Sequence, residues 1–384
     1  CALPILSFLI VLQSCFRFSF GPQHPASHGV LVLLVAFCGD FTSFVDVFIG
    51  FLHRGSECVS AFRVFDGILG YVDRFDYCSV VACEFVFVLA FESLAFSCVF
   101  RCRFGLLELV RCFNGLLVLA CGFLDIGSVS ALLWLFDDRE LLCVVFEFVV
   151  GVRLHVGFLA SSGCVLAFSR FSFFSFSSVL LFSLVVIESG LIGFRVVFSR
   201  LRGVGVVLVC FVSVVSGILL RSFGFSWDIR FAVCFDSMAF RSFSVVSSSL
   251  CCSFDRFVLR LLELRVSVGL FLVCCFGLVV SFCVAIESLI FCFVSVFFGF
   301  SSVFSVSFVE HPKGEYGCLL VSVVLVFRVR FRCCDFVHCL GIVAFVRGLV
   351  LGDLVVVISV FDVVFGQWVS WCFRSVSRSV WFWH

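Results

Sequence analysis

The sequence predicts an α+β fold, and three features of its patterning carry that prediction. Between Val30 and Phe48 two apolar runs flank Gly39-Asp40, as in a β-hairpin with a short turn. From about Arg63 to Leu124 the polar residues space out to a helical period. Glu108, Arg111 and Asn114 fall there at i, i+3 and i+6, one polar stripe on an otherwise apolar helix. In the last quarter, short apolar runs are cut by HPKGEYG, by Arg328-Arg330-Arg332 and by single glycines, which suits mixed short strands and helices.

Taken in order, residues 1–60 read as an N-terminal β-rich segment, ending in the glycine-flanked loop GFLHRGSE. Residues 61–270 read as a central helical bundle. Within it, LDIGS breaks the pattern at Gly127, and a further helix carries Glu140 and Glu147 one heptad apart before VGVRLH. Another helix places Arg256, Arg260 and Glu263 on one face. Residues 271–366 form the mixed C-terminal part, and residues 367–384 are a tail with little regular pattern. No internal repeat and no charged or proline-rich linker interrupts the chain.

Composition sets a trap. Of 384 residues, 63% are hydrophobic and 13% charged, and mean hydropathy is +1.27. Those values suit a polytopic membrane protein, such as a transporter or channel subunit. Yet there are 59 Phe and 25 Cys, while Lys313, Thr42, Asn114 and Met238 are the sole members of their residue types. Membrane selection enriches Leu, Ile, Ala and Gly; it gives no reason to enrich Cys or abolish Thr and Asn. The bias reads as that of a T- and G-rich genome, so hydropathy is inflated. Three uncharged windows, Gly203–Leu220, Val266–Ile286 and Ser288–Val309, are long enough to span a bilayer. Elsewhere charges recur in groups such as Asp73-Arg74-Asp76 and Asp137-Asp138-Arg139-Glu140, which are costly in lipid. Buried elements made greasier by codon bias are the better account. A formal net charge of +1 argues against a nucleic-acid partner. The 25 cysteines contain no C-x-x-C, so they read as apolar fillers in a reducing compartment rather than metal ligands.

One stretch departs from all this. GPQHPASHG, from Gly21 to Gly29, packs two histidines, two prolines and a glutamine into a greasy chain. His24 and His28 have the i, i+4 spacing of paired metal ligands on a helix. Pro25 lies between them and biases His24 away from helical geometry, and no Glu follows the first histidine. The segment suits a rigid loop that aims an imidazole into a cavity. A histidine that only ties down a turn is the plainer alternative; it suits His24 as well as a functional role does, and His28 less well.

GPQHPASHGV and GFLHRGSE open a series of motifs that continues in order. It runs through YVDRFDY (71–77), LLELVRCFNG (106–115), LDIGS with LWLFDDRE, VGVRLH (150–155), VSGILLRSFGFSWDIR (215–230) and FDRFVLRLLELR (254–265), to EHPKGEYG (310–317) and GDLVVVISVFDVVFG (352–366). This series resembles the quinone-site, 49-kDa-type subunit of mitochondrial respiratory complex I, a relative of the large subunit of nickel–iron hydrogenases. The form encoded in the mitochondria of some flagellate protists would account for the codon bias.

The resemblance implies a hydrogenase-large-subunit-like layout and a core-subunit role in a proton-pumping NADH:ubiquinone oxidoreductase. The chain would sit in the matrix-facing arm at the mitochondrial inner membrane, peripheral to the bilayer. Implied partners are the cluster-bearing small subunit, the 30-kDa-type subunit and the membrane-arm quinone-channel subunit. Ubiquinone is the implied substrate; the terminal iron–sulfur cluster is held by a partner, and NAD acts only indirectly through the complex. His28 and Tyr77 match the two residues at the quinone headgroup, and Asp125 matches the carboxylate that orients the histidine. An imidazole that titrates near neutrality and a phenol suit a ring that needs two donors and, on reduction, two protons. Arg54, Arg74 and His155 match residues that approach the cluster, whose potential rises with nearby positive charge. An ordinary core tyrosine is the alternative for Tyr77; an ion pair with Glu57 or Asp76 is the alternative for the arginines. Where hydrogenases carry cysteine pairs this chain reads HRGSE and FDVVFG, so it is expected to ligate no metal.

Overall fold

A computed structural model describes residues 16–21, 28–29, 31–48, 54–63, 65–95, 102–153, 157, 159, 195–207, 212, 215–232, 244–281, 304–323, 326–333, 346–362 and 364–365. In chain order the elements are β1 (Phe16–Phe20), β2 (His28–Gly29), β3 (Val32–Cys38), β4 (Phe41–Phe48), α1 (Ser56–Ser60), α2 (Phe65–Val72), α3 (Val80–Ala95), α4 (Cys102–Ile126) and α5 (Val129–Val150). There follow α6 (Arg195–Leu201), α7 (Gly217–Ser222), α8 (Ile229–Ala232), α9 (Ser253–Ser281), β5 (Phe304–His311), β6 (Gly314–Val323), β7 (Val326–Cys333), α10 (Leu351–Phe361) and β8 (Val364–Phe365). The chain is thus a mixture of long helices and small sheets, an α+β arrangement.

The expected hairpin forms: β3 and β4 pair antiparallel through Cys38↔Phe41, leaving Gly39-Asp40 as a two-residue loop, and β1 adds to the other side of β3. Thr42 fastens this sheet to the C-terminal part. Its amide donates to the Leu349 carbonyl at 2.9 Å, and its carbonyl accepts from the Gly348 amide at 2.8 Å. Its hydroxyl donates to the Val346 carbonyl at 2.5 Å and accepts from the Leu349 amide at 3.0 Å. The chain's sole threonine therefore closes a contact across some 300 residues.

In the last quarter HPKGEYG cuts the chain as expected: it is the turn of a hairpin, with His311 paired to Gly314 and Pro312-Lys313 between them. The arginine run differs from the expectation and ends no element, because it lies within β7, where Arg, Val, Arg, Phe and Arg alternate at the strand period of two. The resulting sheet, in the order β5-β6-β7, packs on α3. Its contact is partly polar: Ser307 donates to the Val86 carbonyl at 2.7 Å, and Ser305 meets Ser93 at 2.5 Å. Phe304, Val306 and Phe308 consequently face outward from β5.

The helical span beginning near Arg63 divides into α2, α3 and α4, with a turn at residues 73–79. Helix α4 is the axis of the fold, flanked by α5, α9 and α10. It is also the one helix, among the described residues, apolar and long enough to cross a bilayer (Gly105–Ile126), yet two-thirds of that window is buried within the fold. Of the three uncharged windows, the described part of Val266–Ile286 continues α9 to Ser281, and the described end of Ser288–Val309 is a strand. Where α4 crosses α9 the approach is close: a methyl group on Gly122 would sit 3.0 Å from the Phe257 ring. Phe257 in turn meets Phe123 edge-to-face at 5.0 Å between centroids.

Candidate functional site

The site begins in the turn between α2 and α3. Asp76 is buried there, and its Oδ1 accepts the Cys78 amide at 2.9 Å, an Asx-type bond that shapes the turn. Lys313 Nζ reaches both carboxylate oxygens, at 3.3 and 3.2 Å, and His311 Nε2 lies 3.0 Å from Oδ2. Burial alone would raise the Asp76 pKa. The Lys313 charge, then the His311 hydrogen bond and charge, then the Cys78 amide override it and hold the carboxyl well below the usual range.

Tyr77 follows Asp76 and turns outward, 40% exposed. Together with Cys78, Leu109, Val110, Phe113, Phe146 and Arg153 it lines a cleft of about 350 Å³. Burial first, then the charges of Cys78, Asp76 and Asp362, push the phenol well above its usual pKa; Lys313 opposes them.

A second set of charges holds the hairpin that carries His311 and Lys313. Arg221, fully buried on α7, contacts Glu263 at 2.6 Å, Glu310 at 2.9 Å and Asp228 at 3.6 Å. Arg230 pairs with Glu108 at 3.0 Å and Asp228 at 2.7 Å, and Arg111 donates to the Glu310 carbonyl at 2.9 Å. The polar stripe Glu108, Arg111, Asn114 thus faces the interior. The turn itself leaves no room for side chains: Gly217 has φ +63 and Gly314 φ +133, and a methyl on Gly217 would stand 2.5 Å from the Gly314 Cα. Beside them Ser216 Oγ accepts the Glu315 amide at 3.0 Å.

The third part is the C-terminal end of α10. Asp125, at the end of α4, lies beside Ser359 on α10; burial raises its pKa to about 6, and the Ser359 hydroxyl partly opposes this. One Asp125 carboxylate oxygen is buried without a hydrogen-bond partner among the described residues. Asp362 caps α10 in a left-handed conformation (φ 53) and accepts the Asn114 side-chain amide at 3.2 Å. Two residues on, β8 pairs in parallel with β2, His28 opposite Val364. Asp125, the charge that bears on Tyr77, and the His28 backbone therefore converge on residues 359–364.

Comparison with known proteins decides the family. The model of the respiratory-chain NADH dehydrogenase 49-kDa subunit matches residues 125–279 and 280–368. A 49-kDa subunit homolog of NADH-ubiquinone oxidoreductase from Trypanosoma brucei brucei is 38% identical, over 94% of this chain and 99% of the relative. NADH dehydrogenase (ubiquinone) iron-sulfur protein 2 of Arabidopsis thaliana is 32% identical over 92% and 97%. The 49-kDa subunit of Cafeteria roenbergensis is 32% identical over 92% and 96%. The chain belongs to the complex I 49-kDa subunit family.

In this 49-kDa-type chain the six residues singled out from sequence fare differently. Tyr77 and Asp125 border the region just described. Of His28 only the backbone is described, and His155 lies outside the described residues. Arg54 is exposed just before α1. Arg74 is also exposed and lies 4.0 Å from Asp73, while Asp76 faces His311 and Lys313. Among the described residues no group of three or more His, Cys, Asp and Glu could hold a metal ion. Sequence reasoning missed Asp76, His311, Lys313 and Asp362 as parts of this site. For Lys313 a signal existed: it is the sole lysine of a chain with 26 basic residues.

Proposed function

We propose that this complex I subunit forms the quinone-reduction cavity of a proton-pumping NADH:ubiquinone oxidoreductase, next to the terminal iron–sulfur cluster of a neighbouring subunit. His28 and Tyr77 donate to the quinone oxygens, and Asp125 stabilises the imidazolium form of His28. Arg54, Arg74 and His155 face the neighbour's cluster, which supplies the electrons. The layout is that of a hydrogenase large subunit with its metal site lost, and the chain has no activity by itself, since its electron source lies on a partner. It stands in the matrix-facing arm of the mitochondrial complex, peripheral to the membrane and in contact with the cluster-bearing small subunit, the 30-kDa-type subunit and the membrane-arm quinone-channel subunit.

The observation that supports this most is the convergence at the end of α10. The end of α4 and the β2 strand that carries His28 both reach it, and the charge of Asp362 there bears on Tyr77. Two exposed apolar faces suit a subunit covered by partners: Phe304, Val306 and Phe308 on β5, and Leu133, Val144 and Phe148 on α5. Tyr77→Phe keeps the ring and removes the donor. Quinone reductase activity of the assembled complex should fall at least tenfold while assembly and NADH oxidation by an artificial acceptor persist. Failure of assembly, or unchanged quinone reduction, would show that Tyr77 is only structural.

A further inference from the structure

A second cavity lies where α4, α9, the Pro312 turn and the C-terminal cap of α10 meet. Arg111 and Asn114 line it from α4, Arg260, Glu263 and Ser267 from α9, and Asp362 from the cap. Arg260 is buried there; burial lowers its pKa, and the charges of Asp362 and then Glu263 oppose this. Glu263, however, pairs with Arg221 at 2.6 Å and with Arg111 at 3.8 Å. The Arg260 guanidinium makes a long hydrogen bond to the Arg256 carbonyl, at 3.5 Å, and its Nε has no hydrogen-bond partner among the described residues. Asn114 presents the complement. Its Nδ2 donates to Asp362 at 3.2 Å, while its Oδ1 is buried with no donor among the described residues. Arg111 Nε is likewise without a hydrogen bond, since the Glu108 oxygen it faces is 3.8 Å away.

Open donors and an open acceptor therefore border one polar space. A metal cation there would meet two guanidinium groups. An anion would meet the Asn114 oxygen and the carboxylates of Glu263 and Asp362. A small group that both donates and accepts suits all of them, and water is such a group. We propose that this cavity is a binding site for ordered water, which accepts from Arg260 Nε and donates to Asn114 Oδ1 and the Asp362 carboxylate. Arg260 and Asp362 then form a water-bridged ion pair, and the buried guanidinium is satisfied without a direct carboxylate. The same water stands between two groups of charges. On one side are Arg111, Arg221, Glu263 and Glu310, which hold the His311–Lys313 hairpin. On the other is Asp362, which caps α10 with φ 53, two residues before β8 pairs with the His28 strand. The site does not depend on Tyr77 being a donor to quinone.

A map of the assembled complex at a resolution that shows ordered water decides this. A rounded peak is expected about 3 Å from both Arg260 Nε and Asn114 Oδ1. No peak in the cavity would overturn the site. So would a peak that touches guanidinium nitrogens alone and stays clear of the Asn114 and Asp362 oxygens, because that is a bound anion. Arg260→Met keeps the length and apolar stem but removes every donor. Its peak should vanish, and the complex should inactivate about fivefold or more faster on heating. Arg260→Lys keeps a cation and a donor, so it should retain the peak and most of the half-life. In an Asp362→Asn background, Arg260→Met should cost less than it does alone. Single losses that multiply in full would show that the two residues act independently, with no water between them. Should Arg260→Met fail to assemble, the peak in the unaltered complex and in Arg260→Lys still decides.

Discussion

Asp125 carries the clearest consequence at the scale of single residues. Its folded pKa, raised by burial to about 6, lies above the ordinary aspartate value of 3.8, so it takes up a proton as pH falls through about 6. On the proposed reading a protonated Asp125 cannot balance the His28 imidazolium, and quinone reduction should fall on that acid limb. Asp125→Asn should lower the plateau and abolish the limb, whereas Asp125→Glu should keep it. Rates measured from pH 5.5 to 8 decide this; the same limb in the Asn variant would assign it to another group. Arg221 gives a prediction about stability. It is fully buried against Glu263, Glu310 and Asp228. Arg221→Leu strands carboxylates in the interior and should cost about 3–5 kcal/mol. Measured accumulation of the assembled complex should collapse; normal accumulation would mean that the carboxylates neutralise at little cost.

Among elements, the crossing of α4 and α9 is the most tightly constrained contact. Gly122 stands against Phe257 with no room for a larger side chain, and both helices lack freedom to separate because α10 and α5 also pack on α4. Gly122→Val should destabilise by about 1–3 kcal/mol through overpacking. Gly127, just past the same helix and open to solvent, is the control for chemistry without crowding, though its φ of +100 adds backbone strain to any substitution there. Thermal inactivation half-lives of the two variants separate the causes: crowding predicts partial rescue of Gly122→Val by Phe257→Leu, and strain does not. The hairpin turn Pro312-Lys313 shows a different dependence. Its own residues form a two-residue loop, but Arg111, Ser216 and Gly217 from distant segments decide where it points.

For the whole molecule, composition and architecture give opposite expectations about the membrane. Mean hydropathy of +1.27 suggests a lipid-embedded chain. Yet the one described helix that could span a bilayer carries Glu108, Arg111 and Asn114 buried against partners inside the fold. Alkaline carbonate treatment of mitochondrial membranes should therefore release this chain with the peripheral arm. Retention alongside integral subunits would count against the proposed location.

The sequence by itself determined the class, the hairpin at Gly39-Asp40, the break at Gly127 and the motif series that marks the family. Each is local: a turn chemistry, a period or a contiguous string, readable without knowing what lies opposite. Even the residue types present only once were informative, since Thr42, Asn114 and Lys313 all occupy buried, hydrogen-bonded positions. What those residues bond to was not legible. The Asn114–Asp362 bond spans 248 positions and the Lys313–Asp76 pair 237. Tertiary structure alone decided that serines rather than phenylalanines of β5 face α3, that the arginine run of β7 continues a strand, and that Asp76 turns to Lys313 and not to Arg74. Partner choice among charges depends on which is buried beside which, and burial is a property of packing that no local pattern encodes.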